Sequence, residues 1–214
     1  MSAQIWSKVA LGAVAASLLV GCVAQEVRSA GDPTTPAMIN PGALPFVRQA
    51  DERFQSFQIG FSHLTGGETW KSYDDLPKDG SHLAAGFQAV REARQPKDLS
   101  NPRLRALTAA LAPLYIRYSG TTANSVYFQD NDEPAAKPPE GFTVVLTRKS
   151  WKGAIDFAKA VDAKVLTSFA NSEGVRDAEH AWTPRMAAPW LAYTKSIGGE
   201  IYAAELFNEP NAPE

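Results

Sequence analysis

The segment Phe207-Asn208-Glu209-Pro210-Asn211 joins the residue types that proton transfer at a sugar oxygen requires. A glutamate at the mouth of a site can be kept protonated by an apolar wall and then give its proton to a departing glycosidic oxygen. The asparagine before it can hydrogen-bond the sugar's 2-hydroxyl, a contact that tightens as positive charge develops on the ring. Pro210 fixes the backbone immediately after the carboxyl. The same composition also suits an ordinary turn at a strand end, so the element carrying it has to decide between the two readings.

That element reads as a strand over residues 201–206 (IYAAEL), the fourth of a series. Residues 56–61 (SFQIGF) alternate Phe57, Ile59 and Phe61 and predict the first strand. The polar stretch 62–100 is long for a loop in a compact domain, which predicts a helix near 83–94. Asn101-Pro102 supplies an N-cap and a first-turn proline, with Leu104, Leu107 and Leu111 as the apolar face and Pro113 as the stop. Residues 114–118 (LYIRY) form the second strand, closed by Ser119-Gly120. The acidic, proline-rich stretch 130–141 is a surface loop, and 143–146 a short strand. Ser150 caps a helix carrying Trp151, Ile155, Ala158 and Val161, and 164–169 (KVLTSF) is the third main strand. Thr183-Pro184 starts a further helix, bent at Pro189, with Trp190, Leu191 and Thr194 inward and Gly198-Gly199 at its end.

Strand and helix in alternation predict parallel βαβ units. Four such units make either half of an eight-stranded barrel or a small open sheet. The sequence stops at Glu214, a few residues past strand four and before any helix to cover it. The reading that follows is α/β, the N-terminal half of a TIM (β/α)8 barrel over residues 51–214, truncated after strand 4. Active sites of such barrels lie at the C-terminal strand ends, where Glu209 falls.

The front of the chain has a different character. Lys8 opens an apolar run from Val9 to Val20 that is too short to span a bilayer but fits the core of a signal peptide. It ends Leu19-Val20-Gly21-Cys22, which resembles a lipobox, so residues 1–21 are expected to be removed and Cys22 to carry the lipid. An ordinary secretory signal with a chance cysteine is the competing reading. Residues 22–50, with Pro33, Pro36, Pro41 and Pro45, are expected to be a lipidated N-terminus and tether. The protein would then sit in a bacterial cell envelope, at the outer membrane or periplasmic face, with the membrane as partner through Cys22. As the single cysteine, Cys22 excludes an internal disulfide. A formal net charge of −2 with scattered Lys and Arg gives no footprint for nucleic acid.

Several segments resemble, in order, glycoside hydrolase family 79, the heparanase and β-glucuronidase family in clan A of the retaining glycosidases. Asp98-Leu99-Ser100-Asn101-Pro102 leads into Leu104 and Leu107. Pro113-Leu114-Tyr115-Ile116-Arg117-Tyr118-Ser119-Gly120-Thr121 is similar to the family's second strand. Phe169-Ala170-Asn171 follows the third strand, Trp182 precedes the helix containing Tyr193, and the fourth strand runs into Phe207-Asn208-Glu209-Pro210-Asn211. The likeness covers about three-quarters of the chain, from Ser56 to Asn211, and only the first half of the family's barrel.

The resemblance implies that Glu209 is the general acid/base and Asn208 its 2-hydroxyl partner. It places Arg117 beside the nucleophile, although a solvated strand-end arginine is an equal reading, and Thr121 against the sugar. Asn171 and Trp182 would lie near the same mouth, with a core position as the other reading of Trp182. Some family members carry an aspartate after the first strand where this chain has Ile59-Gly60-Phe61-Ser62-His63, so recognition of the sugar hydroxyls would pass to another group such as His63. Ser119 stands where the family has glycine.

The implied substrate is a β-glucuronide-type glycan, and the implied nucleophile, after strand seven, lies beyond Glu214. Two alternatives stand beside this reading: a non-catalytic surface lipoprotein that binds glycans, and a clan-A glycosidase acting on neutral sugars. No spacing of His, Asp and Glu suggests a metal site, no glycine-rich phosphate cradle is present, and no nucleophile elbow is visible, so no cofactor is expected.

Overall fold

The structure is a computed structural model that describes residues 40–210. The expected signal peptide, Cys22, most of the tether and Asn211 lie outside the described residues. The chain divides into two units, residues 1–47 and 48–214. In the first, a 3-10 turn at Pro41–Ala43 is closed by the Asn40 side chain, which accepts from the Gly42 amide (3.1 Å).

The second unit contains eight strands and five α-helices among its described residues. In chain order these are β1 (Phe57–Gly60), α1 (Ser62–Thr65), β2 (Gly67–Trp70), α2 (Ser81–Ala84), β3 (Arg91–Arg94), α3 (Pro102–Ala109), β4 (Leu114–Ser119), β5 (Val126–Gln129), β6 (Val144–Thr147), α4 (Arg148–Ala160), β7 (Ala163–Ser168), α5 (Ala187–Ser196) and β8 (Ala203–Glu205). The four strands read from the sequence as the main series are β1, β4, β7 and β8. They form one parallel sheet in that order, each next to its predecessor, so the fold is mixed α/β with a parallel four-stranded sheet.

Alternation along the strands gives the sheet two unlike faces. Ile116 and Tyr118 of β4, with Val165 and Thr167 of β7, are buried under the helices. Gln58, Arg117, Ser119, Ser168 and Glu205 lie on the other face, in register across the four strands. The core beneath the first face is aromatic. Trp190 of α5 stacks on Phe128 (5.8 Å) and meets Phe61, Trp151 and Phe169 edge-on at 5.8, 4.9 and 5.4 Å. Such offset and edge-to-face pairs add to what area burial alone contributes. The Trp151 indole N–H donates to the Thr194 hydroxyl (2.8 Å), which donates to the Trp190 carbonyl (2.8 Å), so α4 and α5 are joined by a polar link inside an apolar layer. At the opposite end of the sheet Arg53 donates to the carbonyls of Leu114 (3.1 Å) and Asp162 (2.7 Å).

Several local expectations are corrected. Residues 83–94 do not form one helix. Gly80 and Gly86, at φ +76° and +80°, interrupt the path, and the stretch divides into α2, a 3-10 turn (Phe87–Val90) and β3. β3 pairs antiparallel with β2, a long-range choice that local periodicity does not show. The cap of α4 is Thr147 rather than Ser150, because the Thr147 side chain accepts from the Ser150 amide (3.1 Å). Trp151, Ile155, Ala158 and Val161 are buried as expected.

Leu104, Leu107 and Leu111 do not form a buried face. Leu107 is 62% exposed, and Thr108 is the residue of α3 turned inward. Leu104 and Leu107 instead border an apolar groove of about 610 Å³ beside Phe57, Leu99 and Phe157. Thr183 does not open α5, since its amide and hydroxyl both donate to the Val175 carbonyl (2.9 and 2.6 Å). Pro189 falls in the first turn of α5, where no amide is needed. Leu191 is exposed, because Ala187, Trp190 and Thr194 define the inward stripe.

Candidate active site

Parallel pairing delivers the C-terminal ends of all four strands to one edge of the sheet. His63 follows β1, Thr121 follows β4, Asn171 follows β7, and Asn208 and Glu209 follow β8. Two clefts meet there. One, of about 700 Å³, is lined by Thr121, Asn124, Phe142, Asn171, Asn208 and Glu209 among others. The other, of about 680 Å³, is lined by His63, Trp70, Arg117, Thr121, Asn208 and Glu209 among others. Six of the seven site residues expected in this unit therefore border common space, with Thr121, Asn208 and Glu209 shared by both clefts. Trp182 borders neither. Its indole N–H donates to the Ala170 carbonyl (2.9 Å) and its ring packs on the core, which fits the core reading. Cys22 lies outside the described residues.

Glu209 has φ +49°, a left-handed conformation that a non-glycine residue holds only when its surroundings impose it. Asn124 provides that constraint. Its side-chain oxygen accepts from the Asn208 amide (2.8 Å) while its side-chain nitrogen donates to the Asn208 carbonyl (3.0 Å). The Asn124 carbonyl accepts in turn from the amides of Asn171 and Ser172 (2.8 and 2.9 Å). One residue thus ties the segment after β8 to the segment after β7.

The Glu209 carboxylate accepts from the Asn208 side-chain nitrogen (3.0 Å) and is exposed; Phe207 and Phe142 border its cleft, but the described residues do not close an apolar wall around it. Asn208 itself is 4% exposed. Its side-chain oxygen accepts from Arg117 (3.0 Å) and shares the single Ser119 hydroxyl proton (3.1 Å) with Glu205, while the second hydrogen of its amide is available to a further acceptor.

Glu205 completes the network and was not singled out from the sequence. It accepts from Arg117, from the Ser168 hydroxyl and from the Ser119 hydroxyl (3.0 Å). Arg117 also donates to the Gln58 side chain, so one guanidinium spans β1, β4 and β8. Burial alone would raise the proton affinity of Glu205; the Ser168, Ser119 and Arg117 donations outweigh it and hold the carboxyl below its ordinary value. Glu205 therefore stays ionised against Arg117, and the two fix the floor on which Asn208 and Glu209 rest. The signal for it was present: within strand 201–206, Glu205 is a charged residue on the face that alternates with Ala204. Asn124 carried no such signal, because it sits in an irregular 3-10 turn (Thr121–Ser125) and acts on a residue 84 positions away.

A carboxyl at a cleft mouth, an amide hydrogen-bonded to it and an arginine–carboxylate pair beneath can hold a polyhydroxylated ligand and exchange a proton with it. No protein-family model matches the chain, and no curated protein matches it.

Proposed function

We propose that the second unit is the N-terminal half of a (β/α)8 barrel from a retaining glycoside hydrolase of the family 79 type, acting on β-glucuronide-type glycans and anchored in the bacterial cell envelope through Cys22. Glu209 is the general acid/base in this reading. The observation that carries it is the position of Glu209 at the C-terminal end of a parallel strand, in clefts shared with Arg117, Thr121, Asn171 and Asn208.

The mechanism follows from the chemistry of acetals. Glu209 protonates the oxygen of the departing group while a second carboxylate, roughly 5–5.5 Å away, attacks the anomeric carbon; Glu209 then takes a proton from the incoming water. The second amide hydrogen of Asn208 meets the 2-hydroxyl. Arg117, held by Glu205 and Gln58, sets the potential near the attacking carboxylate, which the reading places on a strand that is not part of this sequence.

The exposure of Glu209 favours one competing reading, a non-catalytic glycan binder. The test uses the complete reading frame and an alkyl β-glucuronide, whose poor leaving group depends on acid assistance. Glu209→Gln is expected to lose about 10²–10⁴ of kcat/KM on it, whereas an activated aryl β-glucuronide, whose departure needs no acid, should still form the covalent intermediate and show turnover restored by azide, which replaces water as the second nucleophile. Unchanged turnover in that variant removes Glu209 from the role, and absence of turnover in the parent supports the binder. The 214-residue chain by itself is expected to show no hydrolysis of an aryl β-glucuronide.

A further inference from the structure

The segment between β7 and α5 passes the cleft and returns to the core. Val175 is buried, Arg176 and Trp182 form an antiparallel bridge, and the Trp182 indole N–H donates to the Ala170 carbonyl (2.9 Å). Inside this frame Arg176 turns back toward Asn171. Its Nε donates to the Asn171 carbonyl (3.2 Å), its Nη2 to the Asn171 side-chain oxygen (2.7 Å) and its Nη1 to the His180 carbonyl (2.8 Å). With Glu173 it makes only a loose ion pair (3.9 Å), to a carboxylate that is 70% exposed. The guanidinium is therefore engaged mainly with amide oxygens rather than with an acid.

That arrangement decides which way the Asn171 amide faces. A guanidinium donates and never accepts, so the atom it meets is the amide oxygen, and the nitrogen takes the other position. The Asn171 backbone is held as well, by Arg176 at its carbonyl and by the Asn124 carbonyl at its amide (2.8 Å). Asn171 is half-buried and borders the cleft of Glu209, and its side-chain nitrogen has no partner among the described residues. A positive charge at the amide oxygen also draws electron density from the nitrogen, which strengthens its N–H groups as donors. Because Asn124 fixes Asn208 too, one residue holds the two amides that border this cleft beside Glu209.

We infer that Arg176 is a positioning residue acting through Asn171: it fixes the Asn171 amide so that the nitrogen donates to an oxygen of the sugar held at Glu209. This inference rests on the glycoside hydrolase reading above and adds to it the residue that orients one of the donors to the sugar.

The test is a double-mutant cycle on the complete reading frame with the alkyl β-glucuronide, with KM and kcat measured separately. A hydrogen bond made equally to bound sugar and transition state raises KM when it is lost and leaves kcat unchanged. Asn171→Ala is expected to raise KM about tenfold, Arg176→Ala about fivefold, and Arg176→Lys, which keeps one donor for the amide oxygen, less than Arg176→Ala. In the Asn171→Ala background Arg176→Ala should raise KM no further, because the group it orients is gone. Asn171→Asp keeps an oxygen toward Arg176 but replaces the donor by an acceptor. It should unfold at no lower urea concentration than the parent, while its KM rises at least as far as that of Asn171→Ala. An Arg176→Ala effect of equal size in both backgrounds shows a role independent of Asn171 and overturns the inference, as does an unchanged KM in Asn171→Asp. If Arg176→Ala does not fold, the same cycle with Arg176→Lys decides. A parent that hydrolyses the glucuronide while these outcomes fail leaves the proposed function standing; a parent without turnover removes both.

Discussion

The carboxylates of Glu205 and Glu209, four residues apart, are given opposite environments. Glu205 is enclosed by Arg117, Ser119 and Ser168; Glu209 accepts from Asn208 and faces solvent. In the proposed function Glu205 holds Arg117 in place and Glu209 is the acid/base. The Glu205 environment also predicts a pH dependence. Its folded pKa lies below the ordinary 4.5, so the ionised form stabilises the fold at pH values above 4.5, and that contribution is lost as the pH falls through the lower folded value. Glu205→Gln should therefore narrow the stability difference between pH 7 and pH 3 in urea unfolding, with the gap between parent and variant shrinking below pH 4.5. A variant that tracks the parent at every pH would show that the network contributes nothing to stability.

At the level of elements, caps and breakers decided the boundaries more than hydrophobic spacing did. Asn101 accepts from the Leu104 amide (3.1 Å) and starts α3 where the sequence placed it. Thr147 caps α4 three residues before Ser150, and the two residues look equivalent in a sequence because either hydroxyl can accept an amide. What selects Thr147 is the parallel pairing of β6 with β5, which holds the preceding residues extended up to the cap. Thr147→Ala should cost about 1 kcal/mol in equilibrium unfolding, while Ser150→Ala should cost less because the Ser150 amide, not its side chain, is capped. A reversed order would overturn the assignment.

For the whole molecule, the aromatic cluster around Trp190 is the joint that holds the sheet to its helices. Phe61, Phe128, Trp151 and Phe169 come from segments up to 108 positions apart, so removing the central ring opens a cavity touched by most of the fold. Trp190→Ala is expected to cost about 3–5 kcal/mol, and Phe61, which leads from β1 towards His63, links that loss to the cleft. The measurement is urea unfolding followed by circular dichroism, and a cost below about 1 kcal/mol would place the core elsewhere. The sheet order leaves β1 and β8 at its edges, and the apolar groove beside Phe57 and Leu107 lies along the first of them.

The sequence by itself determined the positions of the four main strands, the α3 start, the buried face of α4 and the placing of Asn208 and Glu209 just past the last strand, because each depends on spacing or capping within a few residues. Only the tertiary structure decided that Asn124 clamps Asn208, that Glu205 and Arg117 pair beneath the cleft, that Trp182 belongs to the core, and that residues 91–94 pair with 67–70 instead of forming a helix. The physical reason is distance along the chain. Alternation and capping are local and recur visibly, whereas a hydrogen bond between residues 84 or 88 positions apart depends on how strands pair, and no local pattern records that choice.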